Sequence, residues 1–376
     1  MYQIIDSASG LLGNFRMADV AMRYSDFVPR LYNLARALGF APGKIMPSRA
    51  FCSDESQGYP IILIAKHFGT FPFNHGSVGG VISSERHGPH AHHGQDLVII
   101  HASHVGYDPS SDVYGRYRRL QTAELEYTVS CGKICATLQW YLEEYRIARE
   151  SIFLLWENDS WHIVIDNQLL HQEREEGLIL KLGRLIRLDP SGELRPLRGL
   201  STAKVFDISE ALLDRLDGSP PANQEMRPLA EGLTPDLFYF RRVSDDRMDR
   251  NLLDAMPLIV TSRWPAVTAA QVNTQVEFDR AYRSILKESE YRGKNLLFVS
   301  GLNVDISPEP GQLFPLTKFI PWAAYHQRAD GRHETWEQQE LYRRLKQQPL
   351  ENPDQVDLEA AIGTMRGVKE IRLTLS

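Results

Sequence analysis

Between residues 19 and 39 apolar side chains recur at helical spacing, at Val20, Phe27, Leu31, Leu34, Ala35 and Leu38. The stripe predicts an N-terminal helical layer, and Pro29, which interrupts it, predicts the start of a second helix. Pro60-Ile-Ile-Leu-Ile-Ala-Lys66 is a short, uniformly apolar run, a pattern shared by buried strands and buried helices. Asp96-Leu-Val-Ile-Ile-His101 has the β-branched enrichment of a buried strand, and the Gly-Tyr-Asp-Pro stretch ending at Pro109 predicts a turn, so that His104 falls where the strand stops. Residues 110–119 are polar and turn-like. From residue 122 to 149 a stripe of Leu125, Val129, Ile134, Leu138, Tyr141, Leu142 and Tyr145 predicts a helix. Gly132 opens a second reading in which that helix starts between residues 130 and 133 and carries Cys131 at its N-terminus.

Farther on, residues 152–156, 161–165, 178–182 and 185–188 read as strands joined by hairpin-like connections, and the Pro-rich stretch 217–228 reads as a linker. Asn295-Leu-Leu-Phe-Val-Ser-Gly301 is a clear buried strand, residues 334–347 an exposed charged helix, and residues 368–375 alternate as a terminal strand. Strands alternating with helices predict an α/β body rather than a bundle or a sandwich. The expected division is a helical layer at 1–45, a core at 46–216 and an α/β region at 229–376, whose strands either complete the same sheet or stand apart.

Composition narrows the function classes. The 376 residues carry a net charge of −6, with no run of five or six like charges, which argues against a nucleic-acid surface. The first twenty residues lack the basic start and apolar stretch of a signal peptide, and no apolar run is long enough for a membrane span, so the expectation is a cytoplasmic protein. Three cysteines cannot build a disulfide framework in so long a chain. Eight of the 12 histidines, at 67, 75, 87, 90, 92, 93, 101 and 104, fall within 38 consecutive residues. Such a cluster points to metal or proton chemistry, although a His-rich loop is also compatible with a merely solvated surface.

Three segments bring together metal-ligand chemistry: Cys52-Ser-Asp54-Glu55, His101-Ala-Ser-His104, and Ser130-Cys131-Gly132-Lys-Ile-Cys135. Two thiolates and one imidazole suit Zn2+, whose catalytic sites take three protein ligands and keep a fourth position open. On residue chemistry alone Cys135 rivals Cys131 and His101 rivals His104, and each cysteine taken singly reads as a small buried hydrophobe. Zinc with two thiolates and a neutral imidazole is electrically neutral and acidifies water less readily than a three-histidine site. An acceptor aimed at that water therefore helps. Asp54 is the candidate, either anchored by an Arg or closing the site as a ligand itself.

In order and spacing these segments resemble the limiting-CO2-inducible B family of theta-type carbonic anhydrases, which are similar to β-class carbonic anhydrases. The resemblance rests on Cys52-Ser-Asp54-Glu55, Gly79-Gly80, His90-Ala-His92-His93-Gly94, Ala102-Ser103-His104-Val105-Gly106 and Ser130-Cys131-Gly132, within residues 45–145. It implies a β-carbonic-anhydrase-like central sheet flanked by helices, a homodimer, Cys52, His104 and Cys131 as zinc ligands, and Asp54 as the carboxylate of an Asp/Arg dyad. Two positions depart from the pattern. Ser56 stands where ordinary β-class enzymes have the dyad's Arg, which leaves Arg86 as first choice and Arg49 as second, and Ala102-Ser103 replaces Gly-Pro before the histidine.

The implied function is a lyase, a carbonic anhydrase that converts carbon dioxide and bicarbonate, with His87, His90, His92 and His93 as proton carriers at the rim. A non-catalytic member serving as inorganic-carbon sensor or assembly subunit is the alternative. A zinc hydrolase acting on another small substrate is a third reading, weakened because neither a His-Glu-x-x-His nor a deaminase motif occurs.

Overall fold

Two long, almost wholly buried strands, 96–108 and 296–306, form the middle of a mixed sheet. The computed structural model describes residues 15–82, 96–118, 127–216, 226–309, 311–312 and 315–369. These group into two compact units, one made of the described residues up to 133 together with those from 273 on, the other of residues 134–272. The chain is thus a mixed α/β protein.

In the first unit the strands of the main sheet are β1 (Met22–Arg23), β2 (Ile45–Ala50), β3 (Phe73–Asn74), β4 (Asp96–Asp108), β5 (Val113–Tyr114), β6 (Leu296–Ile306), β7 (Leu316–Gln327) and β8 (His333–Glu337). Their order is β1-β7-β6-β4-β2-β3, with β8 added on β7 and β5 on β4. The strands β6, β4, β2 and β3 are mutually parallel, and the remaining pairs are antiparallel. Strands covered on both faces read as continuous apolar runs rather than as alternation, and the side chains of β4 and β6 divide accordingly. Val98, Ile100, Ala102, Leu297 and Val299 pack on one face with α1 (Tyr24–Ala37) and α2 (Gly58–Phe68). Leu97, Ile99, Leu296 and Phe298 pack on the other, with Phe278, Ala281, Tyr282 and Ile285.

Several expectations are corrected. Pro29 lies inside one continuous helix, α1, where burial of Phe27, Val28 and Leu31 outweighs the single amide donor that proline lacks. The run from Pro60 is helical. His104 is not at a strand end: β4 continues to Asp108 because β6 pairs with it as far as Ile306↔Tyr107, whereas the ladder to β2 stops at Ala50↔His101. Residues 127–129 form a strand paired with Arg116–Arg118, and the helix after them, α3 (Gly132–Glu150), begins directly after Cys131. The stretch read as an exposed helix from 334 is strand β8 followed by a helix at Gln338–Lys346.

The second unit contains a five-stranded antiparallel sheet built on Ile152–Glu157 and Ser160–Asp166, and a two-stranded pair of Gly177–Leu180 with Phe238–Arg241. Residues 182–185 form a helical turn rather than the start of a strand. Met226–Pro228, expected in a linker, pairs with residues 153–155. The expected terminal strand at 368–375 lies almost wholly outside the described residues. Among the described residues no helix is long and apolar enough to cross a membrane.

Candidate metal centre

The chain leaves β2 at Ala50 and turns through Phe51 to Cys52, beside the part of β4 that β2 no longer covers. His104 projects there from β4, and Cys131 arrives at the junction between the strand 127–129 and α3. Cys52, His104 and Cys131 are 4%, 0% and 1% exposed. One ligand atom from each lies within 4.8 Å of the others. Asp54 and Cys135 are outside that group.

The local sequence explains the approach of the chains. Gly79 and Gly80 both take positive φ, 84° and 71°, in a turn of 3-10 helix. This turn aims the Gly79 amide at Cys52 Sγ, 3.1 Å away. A Cβ on Gly80 would stand 2.6 Å from the Ala102 carbonyl oxygen, and one on Gly106 would stand 2.7 Å from that of Arg116. The glycines of the motif are therefore where backbones close on the site.

Three observations test whether a metal fits. The two sulfurs are 3.8 Å apart, far beyond a disulfide bond and equal to the separation of about 3.8 Å that two zinc–sulfur bonds of about 2.3 Å span at a tetrahedral angle. His104 donates or accepts through Nδ1 alone: Asp305 Oδ2 lies 2.8 Å from it, while Nε2 is buried without a hydrogen-bond partner. An orphaned imidazole nitrogen beside two thiols is expensive to keep in the dark of a core unless something takes its lone pair. The donor set, two sulfurs and one nitrogen, is also one that soft or borderline cations prefer. The buried group can hold a metal ion.

The three side chains also shift one another's titration in the metal-free chain. Hydrogen bonding from Cys131 is the main influence holding the Cys52 thiol well below its usual range, with help from His104 and the Gly79 amide against burial. The same contact pushes the Cys131 thiol up. Burial opposes charge on His104, yet Cys131, Asp305 and Cys52 together outweigh it and hold its pKa well above the ordinary value.

Asp305 was not anticipated from the sequence. It is fully buried on β6 and accepts from His104, from Ser56 Oγ at 2.9 Å and from Gln57 Nε2 at 2.8 Å on one oxygen, and from Thr317 Oγ1 at 3.1 Å on the other. Asn303, which pairs in register with His104, donates to Gln57 Oε1 at 2.7 Å. The only sequence signal for this network is the polar pair Asn303 and Asp305 inside an otherwise apolar strand.

The other candidates fall as follows. Asp54 Oδ1 accepts the Ser56 amide at 3.0 Å and caps a short 3-10 helix, and burial raises its pKa. Among the described residues it forms no ion pair with an arginine, Arg49 included. Arg86 and the histidines at 87, 90, 92 and 93 lie outside the described residues. His101 points to the face opposite His104 and spends both ring nitrogens elsewhere, on Ser300 Oγ at 2.7 Å and the Gly80 carbonyl at 3.0 Å. Its role is structural.

Fold and site together define a mixed α/β protein with a buried Cys-His-Cys group on a parallel part of its sheet. The fold is shared with PtLCIB4, a homolog of the limiting CO2-inducible protein LCIB: the crystal structure of that protein superposes with a TM-score of 0.51 at 12% identity, covering 90% of this chain and 99% of that one. A histidine-to-alanine mutant of the same protein gives 0.50 at 11% identity, over 88% and 97% of the two chains. No protein-family model and no curated protein sequence matches the chain.

Proposed function

We propose that this chain is a zinc-dependent carbonic anhydrase with a β-carbonic-anhydrase-like core, hydrating carbon dioxide reversibly to bicarbonate. The observation that carries the reading is the orphaned Nε2 of His104 facing two thiols set 3.8 Å apart. Cys52, His104 and Cys131 would hold the ion, which when bound supplies Lewis acidity that brings the pKa of water to about 7. Asp54 leaves the same turn as Cys52. With Oδ1 fixed by the Ser56 amide, its Oδ2 orients the attacking water by accepting its hydrogen bond. Arg86 would steady Asp54, and the histidines at 87–93 would pass the proton to buffer. A cytoplasmic homodimer belongs to the same reading.

A second reading is favoured by one specific arrangement. Ser56, at the position of the dyad's arginine in the β-class pattern, turns its hydroxyl to Asp305, and Asp54 has no arginine among the described residues. A chain with the metal but without a completed dyad would serve as a non-catalytic inorganic-carbon sensor or assembly subunit.

Zinc content and stopped-flow hydration of the purified protein decide. One zinc per chain is expected, lost in Cys52→Ala and Cys131→Ser and kept in Cys135→Ser. Asp54→Ala should keep the metal and lose most of the hydration rate. A metal-loaded chain inactive from about pH 7 to about pH 9, where the water is ionised, leaves the second reading, and a chain without stoichiometric zinc overturns both.

A further inference from the structure

We propose that Asp305 is the positioning residue of the metal centre, an inference that rests on the reading of Cys52, His104 and Cys131 as ligands. Its Oδ2 lies 2.8 Å from His104 Nδ1, with both side chains fully buried. A carboxylate at that distance keeps the proton on Nδ1 and leaves the lone pair on Nε2, the nitrogen that has no partner and faces the thiol group. Binding through Nε2 then requires no change of tautomer and no rotation of the ring.

The same oxygen reaches the opposite wall of the site. Ser56 Oγ and Gln57 Nε2 both donate to it, and these residues lie in the helical turn that follows Cys52 and Asp54. Gln57 is itself fixed by Asn303 Nδ2 at 2.7 Å, two residues before Asp305 on β6. One carboxylate thus ties the histidine of β4 to the segment that carries Cys52, and Thr317 on β7 holds its other oxygen at 3.1 Å. The ordering of the site comes from a strand about 170 residues beyond the last cysteine of the group.

Asp305→Asn tests this with little disturbance of shape. The amide oxygen can keep the place of Oδ2, and the amide nitrogen can donate to the Thr317 hydroxyl, so the fold is retained while the negative charge behind His104 is removed. Loss of a carboxylate behind a ligating histidine typically weakens metal binding about 10- to 100-fold, and zinc should leave Asp305→Asn faster by a factor of that order in chelator competition. Thr317→Val, which touches only the far oxygen, should release zinc within about twofold of the wild-type rate, whereas a purely structural role would move both variants alike. Independently of any variant, the wild-type chain carrying isotopically labelled cadmium and nitrogen-labelled histidine should show metal coupling to Nε2 of His104. Coupling to Nδ1, or a wild-type zinc release rate in Asp305→Asn, overturns the inference alone. A wild-type chain that takes up neither ion overturns it together with the metal reading beneath it.

Discussion

Gly80 shows how little room the site leaves at the level of one residue. Its φ of 71° and the 2.6 Å that would separate an added methyl from the Ala102 carbonyl oxygen act in the same direction. Gly80→Ala should therefore cost at least about 2 kcal/mol of stability, measured by urea unfolding of the metal-free chain. Neighbouring Gly79 would move with it, and with it the amide that donates to Cys52 Sγ. At this scale the sequence was readable where chemistry is compressed into short motifs: Cys52, His104, Cys131 and the glycine pair are recognisable in line. Asp305 is not, because a carboxylate that meets its histidine across a parallel ladder has no fixed spacing to it along the chain. What separates His104 from His101 is visible only in three dimensions: both ring nitrogens of His101 have hydrogen-bond partners, whereas Nε2 of His104 has none.

At the level of elements, β4 carries opposite tasks on its two faces. His104 looks toward the thiols, while His101 is locked between Ser300 and the Gly80 carbonyl on the side facing Glu277 and Arg280. Burial is the largest cause that brings the His101 pKa down to about 4, with Arg280 assisting and Glu277 and the Gly80 carbonyl opposing. A histidine kept neutral by the fold contributes fully above the unfolded-state pKa of about 6.5, and its contribution is lost as pH falls toward 4. Thermal unfolding of the wild type should thus weaken across that window by more than that of His101→Asn, the difference amounting to about 3 kcal/mol. Equal pH slopes in the two proteins would refute it. The central strands were legible because burial on both faces leaves unbroken apolar runs. The extent of β4 was not: the chain does turn at Pro109, but the strand runs on past His104 up to that turn because its partner lies nearly 200 residues away.

For the whole molecule, the proposed metal would link binding to folding. An ion that binds only the folded chain stabilises it by about 2.7 kcal/mol at a free concentration one hundred times its dissociation constant. Calorimetry should show a higher Tm with zinc than with chelator, and the gain should vanish in Cys52→Ala. The overall class, α/β with strands from both halves of the chain, followed from the alternation of elements. The grouping of residues 134–272 as a compact body of their own did not, because its strands carry the same apolar signature as those of the central sheet.

The position of β6 also has a meaning in time. Asp305 leaves the ribosome 174 residues after Cys131, an interval of about 10–35 s at ordinary synthesis rates. During that interval both thiols and the imidazole exist without their neighbouring strand, in a nascent chain that cannot yet close its sheet. The finished geometry around His104 is consequently reached only after β6 has been made and paired with β4.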